Sequence, residues 1–189
     1  MYTQSLPIIL ASKSPRRQQL LEAMDLRFEV VLKDVDESYP EGLTPAEIAV
    51  HIAEKKAQAF AGEYPQAIVI TADTIVAWKD EILGKPTDAA HAKEILSKLS
   101  GSQHEVFTGV SLVYGEQNLS FYDVTEVYFR ELTSEQIDYY IEHYKPFDKA
   151  GSYGVQDWIG MVAVEKMVGS YTNVMGLPTE KLYAALVAI

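Results

Sequence analysis

Two arginines at the start of a helix, a lysine set among apolar residues and a few carboxylates are the side chains of this chain best suited to chemistry on an anion. Arg16 and Arg17 follow Ser12, Ser14 and Pro15, directly after the apolar run Ile8-Ile9-Leu10. Ser14 suits an N-cap and Pro15 the first helical position, with Leu20, Leu21 and Met24 as the buried face. The pattern predicts a strand, a short loop and a helix N-terminus whose free N–H groups favour an anion. Two guanidinium forks at that spot match phosphate oxygens better than point charges do. An ordinary capped helix with two solvated arginines would carry the same letters. The loop is not a Walker A motif, because G-x-x-x-x-G-K-[ST] is absent.

Lys56 is the second candidate. On a helix over about residues 45–61, Ile48, Ala49, Ile52, Ala53, Ala59 and Phe60 share one apolar face, with Lys56 in its middle and Lys55 at its edge. An ammonium aimed into a core either snorkels out or meets a partner. Asp73 follows Ile68-Val69-Ile70-Thr71-Ala72, a run apolar enough for a buried strand, and ligands of open α/β sheets bind beyond the carboxyl ends of strands. The plain alternative is a solvated carboxylate at a strand end. Asp34, Asp36 and Glu37 form an acidic cluster that by default is solvated loop charge. Lys85 lies between Gly84 and Pro86, where backbone can approach a ligand closely, although a Gly-Lys-Pro turn alone specifies nothing. Gln156 carries an amide that both donates and accepts, or is a surface side chain beside Asp157. His51, His91, His104 and His143 lack metal-ligand spacing and are assigned no chemistry. Trp78, Trp158 and the twelve tyrosines read as core or interface residues.

The elements that must position these residues alternate in type. Strands are predicted near residues 7–12, 27–33, 67–73, 75–78, 104–114, 119–131 and 159–168, and helices near 15–24, 45–61, 88–99, 133–144 and 178–188. Thr44-Pro45 and Leu177-Pro178 mark helix starts, Thr87-Asp88 and Thr133-Ser134 supply N-caps, and Lys79-Asp80 suits a hairpin turn. An α/β protein with a mixed twisted sheet and flanking helices follows. With 189 residues, residues 1–189 are expected to form a single domain, in one lobe or two. The absence of cysteine excludes a disulfide framework or thiolate metal site and fits a reducing compartment. The N-terminus lacks a basic n-region, and Ile8 to Ala11 is too short for a span, so a cytoplasmic protein away from membranes is expected. A net charge of −11 argues against nucleic acid as a partner. Exposed charges are screened beyond about 8–10 Å, so an anionic ligand would need a local cluster of cations and a divalent metal.

Ser12-Lys13-Ser14-Pro15-Arg16-Arg17 after a short strand resembles the signature of the Maf family of nucleoside triphosphate pyrophosphatases. The resemblance continues through Thr71-Ala72-Asp73-Thr74-Ile75-Val76, Gly84-Lys85-Pro86, Phe107-Thr108-Gly109-Val110, Asp148 to Gln156 and Gly176-Leu177-Pro178, in the family's order and nearly end to end. It implies an elongated two-lobed fold like that of inosine triphosphate pyrophosphatases, with a central cleft. It further implies hydrolysis of a nucleoside triphosphate to the monophosphate and pyrophosphate, with Asp73 as general base and Lys56 and Lys85 in the cleft. Ser12, Ser14, Arg16, Arg17, Thr74 and Gln156 would then bind substrate, and Glu37 and Asp73 would hold Mg²⁺ or Mn²⁺, hard cations that take oxygen ligands. Arg16, Thr74 and Gln156 match the branch acting on dTTP and UTP. A homodimer is expected from the resemblance and from the tyrosine-rich C-terminal half. Two alternatives stand beside this reading: a broader pyrophosphatase for noncanonical nucleotides, and a nucleotide-binding regulator of cell division.

Overall fold

The apolar run that opens the chain forms a strand of three residues, and its shortness shapes everything around it. In the computed structural model, which describes residues 4–189, β1 (Ile8–Leu10) leads through a loop to α1 (Pro15–Ala23) and then to β2 (Glu29–Val30). The chain continues through α2 (Pro45–Gln58), β3 (Ile68–Trp78), β4 (Glu81–Leu83), α3 (Ala89–Leu99), β5 (Gln103–Tyr114), β6 (Gln117–Phe129) and α4 (Ser134–Tyr144). A 3-10 turn at Ala150–Ser152, α5 (Trp158–Ala163), β7 (Val164–Val168), α6 (Tyr171–Met175) and α7 (Thr179–Ala188) complete it. One sheet has the order β2-β1-β3-β5-β6-β7, with β4 also on β3. β1 lies parallel to β2 and β3, and the remaining pairs are antiparallel, so the sheet is mixed.

β5 covers one edge of β3 from Val69 to Ala77. On the other edge β1 pairs only as far as Ile70, and β4 begins at Val76. Residues 71–75 are left with no strand on that side, and the sheet has a notch there. Asp73 therefore sits inside a continuous strand rather than at the carboxyl end of one, and the two strands predicted at 67–73 and 75–78 are a single element. The polar pair Asp73 and Thr74 reads as an interruption, yet β5 holds the backbone straight through it. The crevice does lie beyond the carboxyl end of a parallel strand, but the strand is β1.

Side chains of β3 alternate between two layers, as the pleat requires. Ile68, Ile70 and Ala72 pack with Leu20 and Leu21 of α1 and Leu182 and Leu186 of α7. Val69 meets Phe60, and Ile75 meets Ile48 and Ile52 of α2. At the far end, Val76 joins Leu83, Leu96, Val106, Tyr140 and Ile159 in a second large core. Asp73 and Thr74 thus fall between two cores that share β3 and β5, a two-lobed arrangement with its cleft at the notch.

The predicted caps form at three helices. Thr44 with Glu47 and Thr133 with Gln136 make capping boxes, and Asp88 accepts from His91 N. Ser14 stands at the N-cap position of α1, but its side chain makes no cap bond; Ser12 Oγ accepts from Ser14 N instead, at 3.2 Å. The strand predicted at 159–168 is half helix, because Trp158–Ala163 curls into α5 before β7 starts. The strand expected at 27–33 shrinks to β2. No helix among the described residues is long and apolar enough to cross a membrane.

Candidate active site

The notch opens into a cavity of about 440 Å³, within the range of small-molecule sites. Ser14, Arg16, Arg17, Glu37, Lys56, Asp73, Thr74, Lys85 and Gln156 all line it. Segments far apart in the chain converge here because β3 brings Asp73 and Thr74 to the free edge, α1 starts beside it, and α2 crosses above it.

Lys56 meets partners rather than snorkelling. Its Nζ lies 2.7 Å from Asp73 Oδ1 and 2.7 Å from Glu37 Oε1, and the Lys56 and Asp73 side chains are only 16% and 15% exposed. Gly109 makes this approach possible. It pairs across the strands with Asp73, and a Cβ built there would fall 2.3 Å from the Ala49 carbonyl carbon of α2. A side chain of any size at position 109 would lift α2, and Lys56 with it, off the sheet. Thr71 Oγ1 donates to Ala53 O at 2.7 Å and ties down the same helix. Burial alone would raise the Glu37 pKa, but the Lys56 bond, with Lys85 and Arg17 nearby, holds it below the usual carboxylate value.

Arg17 is held differently, by neutral acceptors. Nε donates to Gly176 O at 2.7 Å, Nη1 to Ser12 Oγ at 3.2 Å and Nη2 to Thr74 Oγ1 at 3.1 Å. Burial lowers its pKa and Asp73 opposes that, and a guanidinium stays charged throughout. Ser12 is the one expected ligand-binding residue outside the cavity lining. Its oxygen accepts from Arg17 and from Ser14 N, which steadies the arginine and leaves its hydroxyl hydrogen uncommitted among the described residues.

Arg16 Nη1 reaches Asp148 Oδ2 at 3.2 Å, and Lys149 Nζ lies 2.8 Å from the other oxygen of the same carboxylate. This ion pair spans the cavity from α1 to the loop after α4. Asp148 and Lys149 lie within the sequence blocks noted above, but adjacent opposite charges look like any solvated loop and carry no signal of this role. Lys85 lines the cavity with no hydrogen bond or ion pair among the described residues, while Gly84 O accepts from Gly151 N at 3.2 Å and anchors its turn.

Gln156 Oε1 is buried and makes no hydrogen bond. Its loop is ordered by Tyr140 Oη, which accepts from Gly154 N at 3.1 Å and donates to Asp157 Oδ2 at 2.8 Å. A Cβ at Gly154 would come within 2.6 Å of Asp157 Oδ2 and 2.8 Å of Gln156 Nε2, so a side chain there would displace the ends of both. None of the histidines lines the cavity. Burial drives His104 down to a pKa of about 3, so it is neutral, with Nε2 2.7 Å from Tyr153 Oη.

Comparison with known proteins places the chain in a family. The family model described as Maf-like protein matches residues 7–189. The chain belongs to the Maf-like family. A dTTP/UTP pyrophosphatase of Cytophaga hutchinsonii is 50% identical over 175 residues, covering 93% of this chain and 80% of that protein. A dTTP/UTP pyrophosphatase of Flavobacterium johnsoniae is 50% identical over 183 residues, covering 96% and 94%. Among solved structures, a HAM1 protein from Coxiella burnetii aligns over 97% of this chain and 100% of its own at 17% identity and a TM-score of 0.48, too remote to inform the site.

In this Maf-like chain the donor set suits one hard divalent cation in part. Asp73 and Glu37 present carboxylate oxygens around a shared ammonium, while no cluster of three or more acidic, histidine or cysteine ligands exists among the described residues. Two carboxylates fit Mg²⁺ or Mn²⁺ where phosphate oxygens and water supply the remaining ligands.

Proposed function

We propose that this Maf-like protein is a divalent-metal-dependent pyrophosphatase of nucleoside triphosphates with a preference for dTTP and UTP. The single observation that carries the reading is the Asp73–Lys56–Glu37 cluster facing Arg16, Arg17 and Lys85 across one cavity. The names of the curated relatives support the same chemistry.

Water attacks the α phosphorus, the bond from that phosphorus to the bridging oxygen breaks, and pyrophosphate leaves. Asp73 takes the water's proton, which requires its oxygen to be freed from Lys56 as the ammonium turns to a phosphate. Arg17, locked by three neutral acceptors, keeps its charge for the triphosphate, and Arg16 and Lys85 add theirs. Asp73 and Glu37 would hold Mg²⁺ or Mn²⁺, which supplies charge neutralisation when bound. Positioning and electrostatic stabilisation account for most of the rate in such reactions. With its amide turned into the cavity, Gln156 would offer the unpaired Oε1 to the N3–H that uracil and thymine carry, a hydrogen that cytosine lacks. A buried acceptor left unfilled disfavours the wrong base.

The test is pyrophosphate release from a panel of nucleoside triphosphates with Mg²⁺, with and without chelator. Release from dTTP and UTP well above CTP and purine nucleotides is expected. Release from noncanonical purines instead would favour the broader enzyme, and release from none would favour a nucleotide-binding regulator. Asp73→Asn is expected to lower kcat by about 10³-fold while dTTP binding stays measurable.

A further inference from the structure

Behind Arg17 and Thr74 the hydrogen bonds close into a ring through Thr108, a residue that the proposed chemistry does not use. Thr74 and Thr108 are cross-strand partners on β3 and β5, and their hydroxyl oxygens lie 3.0 Å apart. Thr108 Oγ1 is 2.9 Å from Asn173 O, which also accepts from Gly176 N at 2.9 Å. Gly176 O in turn receives Arg17 Nε, and Arg17 Nη2 returns to Thr74 Oγ1. Thr108 and Asn173 are fully buried, and Asn173 Nδ2 is anchored on Val106 O and Thr125 Oγ1, both at 2.9 Å.

The direction of each bond follows from elimination. A main-chain carbonyl only accepts, so the single hydroxyl proton of Thr108 goes to Asn173 O. Thr74 must then donate to Thr108, which agrees with its accepting from a guanidinium that can only donate. The proton of Thr74 is committed away from the cavity. On the cavity side Thr74 has a lone pair to offer and no hydrogen.

We propose that Thr108 is a positioning residue that sets the polarity of Thr74 and, by closing the ring, holds the Arg17 guanidinium in register. Thr74 accordingly receives a donor of the ligand, a sugar hydroxyl, and does not donate to a phosphate oxygen. The inference deepens the nucleotide reading and rests on it for the ligand's identity, but not for the ring itself. Thr108→Val opens the ring while leaving Asn173 O satisfied by Gly176 N. The freed Thr74 proton then turns toward the cavity, and Arg17 loses one fixed partner.

Kinetics on dTTP and UTP are compared for wild type, Thr108→Val, Thr108→Ser, Thr74→Val and the Thr74→Val/Thr108→Val double variant. The valine at 108 is expected to raise KM about tenfold with a smaller change in kcat, and serine to restore KM to within about threefold. The double variant should match Thr74→Val alone, because Thr108 acts through Thr74. A KM unmoved by Thr108→Val, or losses that multiply in the double variant, overturns the proposal. Arg17 Nε–H, followed by ¹H–¹⁵N NMR, gives a reading free of activity. Its signal should be protected from exchange in wild type and Thr108→Ser and exchange at least about tenfold faster in Thr108→Val; equal protection in all three overturns the proposal. If wild type releases no pyrophosphate while that pattern holds, the ring stands and the nucleotide reading fails. Should Thr108→Val not fold, Thr108→Cys, of similar size with a weak donor, takes its place in both experiments.

Discussion

Asp73 and Thr74 are neighbours on one strand, yet they face opposite layers and are held by opposite means. On the α2 side an ammonium is shared between two carboxylates, so the local charge is negative and the contacts are exchangeable. On the α1 side a guanidinium sits among a carbonyl and two hydroxyls, which orient it without cancelling its charge. One half of the cavity attracts a cation and the other an anion. The missing strand along residues 71–75 lets a single ligand touch both. An acidic chain can hold a polyanion this way, because the field that matters is local.

Replacing Lys56 with Met breaks the charge-paired half and carries the largest expected effect. Pyrophosphate release should fall by about 10³-fold. Asp73 and Glu37 become close like charges, and urea unfolding should show a loss of about 2 kcal/mol at neutral pH, less than for a fully buried pair because Glu37 is half exposed. The pH dependence has a definite sign. The folded-state pKa of Glu37 is depressed from 4.5, so its stabilisation is present above that value and fades as pH falls through the lower one. The stability difference between wild type and Lys56→Met should therefore shrink in acid. A difference constant from neutrality down through that range would show that the pair is not what stabilises this half.

Gly109→Ala strikes the same half through packing alone. The added carbon overlaps the Ala49 carbonyl, so α2 must shift. A loss of about 2–3 kcal/mol in urea unfolding is expected, with activity down about tenfold or more. Asp148→Asn touches the opposite half. It releases Arg16 from an exposed carboxylate that competes with phosphate, and KM for dTTP should fall by no more than about fivefold. A rise in KM would mean that Asp148 serves the ligand directly.

The two halves were not equally legible in the sequence. Lys56 stood out because a helical period of 3.6 places it among apolar residues, and a buried ammonium needs a partner close by. Arg16 and Arg17 were visible as a charged helix start. Asp73 reads as a candidate at a strand end, since a polar residue after an apolar run looks like a boundary when the pairing strand is unseen. The neutral half was largely invisible. Thr108 and Asn173 carry no local signal, because Thr74 and Asn173 lie 34 and 65 residues away from Thr108. Composition and period report faces and charges, whereas a ring of hydroxyls depends on register across strands. The same blindness hid α5, whose apolar letters fit a strand equally well.

The central claim is that one notch in the sheet receives a cation on the Asp73 side and a triphosphate on the Arg17 side. A crystal structure with Mn²⁺ and a dTTP analogue carrying an α,β-imido bridge tests it most directly. The metal's anomalous signal is expected beside Asp73 and Glu37, with phosphate oxygens on Arg17 and Lys85 and the base at Gln156. A nucleotide bound away from the notch, or metal and triphosphate in separate cavities, would contradict the account.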